Sequence, residues 1–214
     1  MNRAKKNLFL AGSTLLIMAL GACNNLGLMD QLETPGQAGS TNNISPDIFL
    51  FATTNSFNGN IRGGMADPRT AADIQCQNTR TTLTFPNNAC SKVRAVISLS
   101  SADSIANIPL NYGLPLNRNI HAPNNFVLAS DWPVLVAGTA SHNLGGNGVM
   151  GAGMKWWSFS TSGGNYNGTD NCTGGTEGAS GQGPVGDSST TGGTWLNSSM
   201  NLCSTPAQLL CVCF

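Results

Sequence analysis

The chain has 214 residues, with ten basic and ten acidic side chains and no net charge at neutral pH. Only 9% of residues are charged, against about 25% in ordinary soluble domains. That length suffices for one hydrophobic core, 40% hydrophobic content argues against disorder, and no basic surplus exists for nucleic acid.

The chain opens on the basic stretch "MNRAKK", followed by "NLFLAGSTLLIMALGA", 16 residues without a charge. Such a run is short for a membrane span, which takes about 20 residues, and has the layout of a secretory signal. It closes on Leu20, Gly21, Ala22 and Cys23, which together resemble the lipobox of bacterial lipoprotein precursors. The resemblance implies a signal peptide over 1–22, cleavage before Cys23, and acylation of Cys23 with enough chains to hold a membrane. Losing Arg3, Lys5 and Lys6 leaves seven basic against ten acidic residues, a net charge of −3. Residues 23–45, rich in Gly, Pro, Ser and Asn, read as a lipid-anchored flexible tether. A single domain is expected over 46–214.

Within it, "DIFLFATT" is a continuous apolar run of strand length, as a buried strand requires. "NSFNGNIRGG" is turn chemistry. Asp67 and Pro68 mark a helix start, and the pattern behind them predicts a helix of about three to four turns. Ala72, Cys76 and Thr79 share its inner face, with Ala71 and Ile74 near the edges. "KVRAVISLS" places Val93, Ala95, Ile97 and Leu99 on one face of a half-buried strand. A short Ser-capped helix is predicted at "SSADSIANI". A short strand and a helical turn starting near Ser130 or Asp131 follow in "NNFVLASDWPVLVAG". Between Gly138 and Trp195 lie 17 of the 26 glycines and four charges, and "MKWWSFS" is the one strand-like run there. A stretch that long without structure is either functional or disordered. "QLLCVCF" ends the chain as a central strand.

Cys23 aside, six cysteines remain: Cys76, Cys90, Cys172, Cys203, Cys211 and Cys213. An even count in an exported chain points to disulfides, with 15 possible pairings. The spacing Cys203, Cys211, Cys213 lacks the close ligand pairs of structural zinc sites, and Cys-x-Cys in a strand is not a redox motif.

Catalytic signatures are missing. There is no H-E-x-x-H, no P-loop and no G-x-S-x-G, so the chain is not read as an enzyme. "GNGVMG" at 146–151 matches G-x-G-x-x-G only in form, with neither strand before it nor helix after it. His121 and His142 stand outside any constellation. Asn165, Asn167, Asp170 and Glu177 are the nearest approach to a calcium set, and neither metal nor cofactor is expected. Surface binding remains. Trp156 and Trp157 face opposite sides of a strand, so one is expected in the core and the other exposed as an anchor. Trp195, and a basic group of Lys92, Arg94 and Arg118, complete the candidate contacts.

The order of these blocks resembles the leptospiral endostatin-like lipoproteins. "IFLFATTNSFNGNIRGGMADPRTAADIQCQ" is similar to the family's opening strand, Asn-Gly-Asn turn, Gly-Gly pair and cysteine-bearing helix. "KVRAVISLSSADSIANIP", "SDWPVLVAG", "NC" at 171–172 and "LCSTPAQLLCVC" match later blocks, so the resemblance covers 48–213. Two departures stand out: no tryptophan soon after Cys172, and two additional cysteines, Cys90 and Cys213. The resemblance implies an α+β fold of C-type-lectin-like, endostatin-like type, with short helices, a twisted antiparallel sheet, a long loop region and disulfide staples. It implies the pairs Cys76 with Cys211 and Cys172 with Cys203, leaving Cys90 for Cys213. It further implies an outer-membrane, surface-exposed lipoprotein that binds host extracellular-matrix proteins such as laminin and fibronectin, or complement regulators such as factor H. The alternative is an envelope-maintenance lipoprotein facing the periplasm.

Overall fold

The computed structural model describes residues 47–85 and 90–214. The expected signal peptide, Cys23, the tether and the expected domain's first residue lie outside the described residues.

Ile48–Ala52 (β1) forms the buried strand, with only Ala52 partly exposed. Pro68–Arg80 (α1) begins where the Asp67 carboxylate accepts the Thr70 N–H at 2.8 Å. Ala71, Ala72, Cys76 and Thr79 turn inward, while Ile74 is 38% exposed and lies outside the buried face. Val93–Ala95 (β2) follows, then a 3₁₀ turn at Ile105–Asn107 running into Ile108–Tyr112 (α2). Gly113, at φ 73°, ends α2 in the left-handed conformation that glycine adopts without strain. Next come Ile120–His121 (β3), Val127–Ala129 (β4) and Trp132–Val136 (α3). Asp131 caps α3 by accepting the Val134 N–H at 2.8 Å. Lys155–Trp157 (β5), Cys172–Gly175 (α4), Gln182–Asp187 (β6), Ser199–Leu202 (β7) and Leu210–Cys213 (β8) complete the order.

Two sheets result, in an α+β arrangement. The larger has the order β2-β8-β1-β3-β4, and the smaller, β5-β6-β7, is antiparallel throughout. The larger sheet is mixed, which corrects the expectation of an antiparallel one. β1 and β3 run parallel, with Ile48 opposite Ile120. Parallel neighbours need a long crossover, and α1, β2 and α2 supply it. β8 lies between β2 and β1, pairing antiparallel with both.

Side-chain alternation on β1 and β8 divides the interior into two cores. Ile48, Leu50, Leu210 and Val212 point into one, and Phe49, Phe51, Cys211 and Cys213 into the other. Val93, Ala95, Ile97 and Leu99 do share one face, all joining the second core, but the opposite face is covered too, so the segment is not half-buried. Val96, Ile97 and Ser98 are fully buried in turn, and only Val93–Ala95 is strand.

The glycine-rich stretch also contains β6, which its sequence "GQGPVGD" hides. Two features explain why the strand forms nonetheless. The Pro184 carbonyl, facing β5, accepts the Ser158 and Phe159 N–H groups, so its missing donor breaks no pairing to β7. Gly186 lies directly beneath the Trp156 indole, where an added Cβ would collide with the ring.

Candidate functional site

The six cysteines form three disulfides: Cys76–Cys211, Cys90–Cys213 and Cys172–Cys203. Two of them converge on one face of β8, joining it to α1 and to the segment before β2. The terminal Cys-x-Cys is therefore a double attachment point inside the second core, where Cys211 and Cys213 have no exposed surface.

The third disulfide anchors an unusual turn. Cys172 (φ 50°), Thr173 (φ 54°), Gly174 (φ 64°) and Gly175 (φ 80°) are consecutively left-handed. The Asn171 side chain accepts the Gly174 N–H at 2.7 Å, and the Gly175 N–H donates to the Asn171 carbonyl at 3.2 Å. Left-handed backbone costs about 1–2 kcal/mol for each residue bearing a Cβ. Gly174 and Gly175 remove that cost at two positions. The Gly-Gly pair was the available sequence signal.

The tryptophans proposed as contacts are buried. Trp156 and Trp157 have no exposed surface and Trp195 only 2%. Trp156 packs with Trp195 in the first core, while Trp157 packs with Phe159 in the second. The expectation that one face of β5 meets solvent fails because both faces meet a core. The Trp157 indole N–H donates to the Phe57 carbonyl at 2.7 Å, whereas the buried Trp156 and Trp195 indoles have no hydrogen-bond partner among the described residues.

Nor do the three basic residues act alike. Lys92 is exposed, with its ammonium 5.8 Å from the Phe214 ring centre. Arg94 is drawn toward Asp73 at 3.3 Å and lies over Tyr112. Arg118 is half-buried two residues before β3, with β8 and β1 between β2 and β3 in the sheet. His121 is buried, its Nδ1 3.2 Å from the Asn125 carbonyl oxygen. His142 stands edge-on to Phe126 at 4.6 Å.

Two of the residues weighed for calcium, Asn167 and Glu177, serve local turns. Asn167 Oδ1 accepts the Thr169 and Asp170 N–H groups. Glu177 Oε1 accepts those of Ala179 and Ser180, and these bonds hold its carboxyl below the ordinary value. Among the described residues no group of three or more His, Cys, Asp or Glu is placed to hold a metal. The 146–151 glycines form a turn closed by the Gly146 N–H on the Met150 carbonyl, with no helix behind it.

Two features escaped sequence reasoning. The first is a charged cluster around Arg69, which is only 9% exposed. Its guanidinium donates to Asp103 at 2.8 and 2.9 Å, and to the Ala95 and Ile97 carbonyls, both at 2.7 Å. Asp73 Oδ1 accepts the Ala95 N–H at 2.8 Å, and Tyr112 donates to Asp103 at 3.0 Å. Burial pushes the Arg69 guanidinium down, but the Asp103 hydrogen bonds and charge outweigh it and hold it above its ordinary value. Burial lifts the Asp73 carboxyl, which the Ala95 N–H and the two arginines only partly offset. Burial likewise raises the Tyr112 phenol. The cluster ties α1 to the outer edge of β2, and Asp73 also lines an open cleft of about 440 Å³ with Thr70, Gln77, Lys92 and Arg94.

The second is a concave apolar groove of about 600 Å³ between α2 and α3. Leu110, Leu114, Leu116, Trp132, Pro133 and Val136 line it. Leu110 is 85% and Leu116 50% exposed on its rim. That volume is within the range of roughly 300–1,000 Å³ found for binding pockets, and the lining carries no ionisable side chain. Trp132 Nε1, its one side-chain donor, is engaged with the Ile105 carbonyl at 3.3 Å. Such a groove takes up apolar groups. The sequence hid it because its walls come from two five-residue helices and the α2–β3 connection, apposed only in the fold.

No protein-family model matches this chain, and no curated protein matches it in sequence.

Proposed function

We propose that this chain is a bacterial surface lipoprotein of the leptospiral endostatin-like kind, with a C-type-lectin-like domain carried on acylated Cys23. Its role is to bind host extracellular-matrix proteins such as laminin and fibronectin, and complement regulators such as factor H. The observation that carries this reading is the apolar groove between α2 and α3, with Leu110 and Leu116 standing out at its rim. Exposed leucines beside a concave apolar surface are costly to leave in water and mark a site for protein contact. The three disulfides suit an oxidising compartment outside the cytosol, and a stapled scaffold holds such a surface in one shape.

The experiment is solid-phase binding of the chain from residue 23 onward, purified with its disulfides intact, to laminin, fibronectin and factor H. Saturable binding is expected to at least one. The double variant Leu110→Ser/Leu116→Ser is expected to bind at least tenfold more weakly, since both side chains are exposed and their loss spares the core. Binding to none of the three would overturn the function, and unchanged binding by the variant would move the site off the groove.

A further inference from the structure

Both sheets have edges, and on three of the four, named groups engage outward backbone atoms. On β2, the Arg69 guanidinium occupies the Ala95 and Ile97 carbonyls and Asp73 takes the Ala95 N–H. At β4, the Ser141 N–H donates to the Leu128 carbonyl at 3.0 Å. On β5, Gln208 exchanges hydrogen bonds with Trp157 and Lys155 at 3.0 and 3.2 Å. The fourth edge is β7. Gly183 pairs with Asn201 and Val185 with Ser199, and the Cys203 N–H donates to the Gly181 carbonyl. The odd-numbered residues thus bond to β6, and the N–H and carbonyl of Met200 and the N–H of Leu202 point away from the sheet. The Leu202 carbonyl accepts from Thr205. Met200 and Leu202 are 37% and 63% exposed, and period 2 places them on one face. The strand holds no charge, no proline and no bulge, the usual devices that protect an edge.

From this we infer that β7 is a docking edge for an extended, uncharged peptide segment of a protein partner, which adds a fourth strand beside β7. Met200 and Leu202 receive its alternate aliphatic side chains, and the three outward backbone groups supply the hydrogen bonds. A second copy of the chain is the poorer occupant. Four residues span only about 13 Å of edge. Two such edges cover far less than the roughly 1,000 Å² that a stable protein–protein contact buries. The inference rests on the proposed binding role only for the partner's origin; the edge chemistry stands apart from it, and from the groove.

The probe is an acetylated, amidated peptide of alternating valine and threonine, eight residues long. Amide hydrogen exchange of the disulfide-intact chain is followed by NMR with and without it. The Met200 and Leu202 amides are expected to slow tenfold or more at saturation, while Ser199 and Asn201 stay protected throughout. Met200→Pro removes a donor that β6 does not use, and Leu202→Lys places a charge on the edge; each is expected to weaken the peptide tenfold or more. Retained protection at Ser199 and Asn201 shows that a variant has kept its strand pairing. Unchanged exchange at Met200 and Leu202 at saturating peptide, or undiminished binding by the folded Leu202→Lys chain, would overturn the inference. So would a dimer in sedimentation that Met200→Pro makes monomeric, because the occupant would then be a second copy. A chain that takes the peptide on β7 but binds no host protein sinks only the proposed function.

Discussion

Arg69 illustrates what one side chain does in this fold. Its guanidinium bridges the Asp103 carboxylate and two carbonyls of the β2 edge, so one residue of α1 positions both β2 and the turn before α2. Bidentate arginine–carboxylate geometry holds direction as well as charge. Removing Asp103 leaves a nearly buried cation with only neutral acceptors and the more distant Asp73 at 3.7 Å. Asp103→Ala is therefore expected to destabilise by about 3 kcal/mol, in the range for breaking a buried pair. Urea unfolding at neutral pH checks this, and a loss under 1 kcal/mol would show the pair to be solvated. None of this was legible beforehand. The carbonyls that claim Arg69, those of Ala95 and Ile97, lie 26 and 28 positions along the chain.

Among the elements, legibility followed how local the cause was. The start of α1 and the start of α3 are written in Asp67-Pro68 and Asp131, whose carboxylates cap the turns beside them. β1 is written in five apolar residues. β6 is not, since its glycines and proline become strand only by fitting around Trp156 and between β5 and β7. The left-handed turn at Cys172–Gly175 has the same character: Asn171 and the disulfide to Cys203 hold it. Thr173 is an exposed residue with a Cβ at φ 54°. Thr173→Gly relieves that conformation and is expected to stabilise by about 0.5–1 kcal/mol, net of the extra freedom glycine gives the unfolded chain. A rise in thermal midpoint checks it; a fall would mean that the threonine side chain contributes more than its backbone strain costs.

On the scale of the molecule, two cores share one sheet, and the disulfides sit on the side of the second. Cys76–Cys211 and Cys172–Cys203 close sequence separations of 135 and 31 residues. The chain-entropy model assigns about 5 kcal/mol to the longer and about 4 kcal/mol to the shorter. Urea unfolding of the paired variants Cys76→Ala/Cys211→Ala and Cys172→Ala/Cys203→Ala should preserve that order. A larger loss for the short loop would show that holding the left-handed turn outweighs loop entropy. The sequence by itself determined the first strand, the capped helices and a cysteine count that favours disulfides in an exported chain. Each follows from neighbours in the chain or from counting. Tertiary structure alone decided that both faces of β5 and β8 are covered, so all three candidate tryptophans are core. It alone apposed α2 and α3 around a groove and left β7 as an edge with unengaged backbone groups. Exposure belongs to a surface only once every other segment has taken its place, and periodicity within one segment does not report what will cover it.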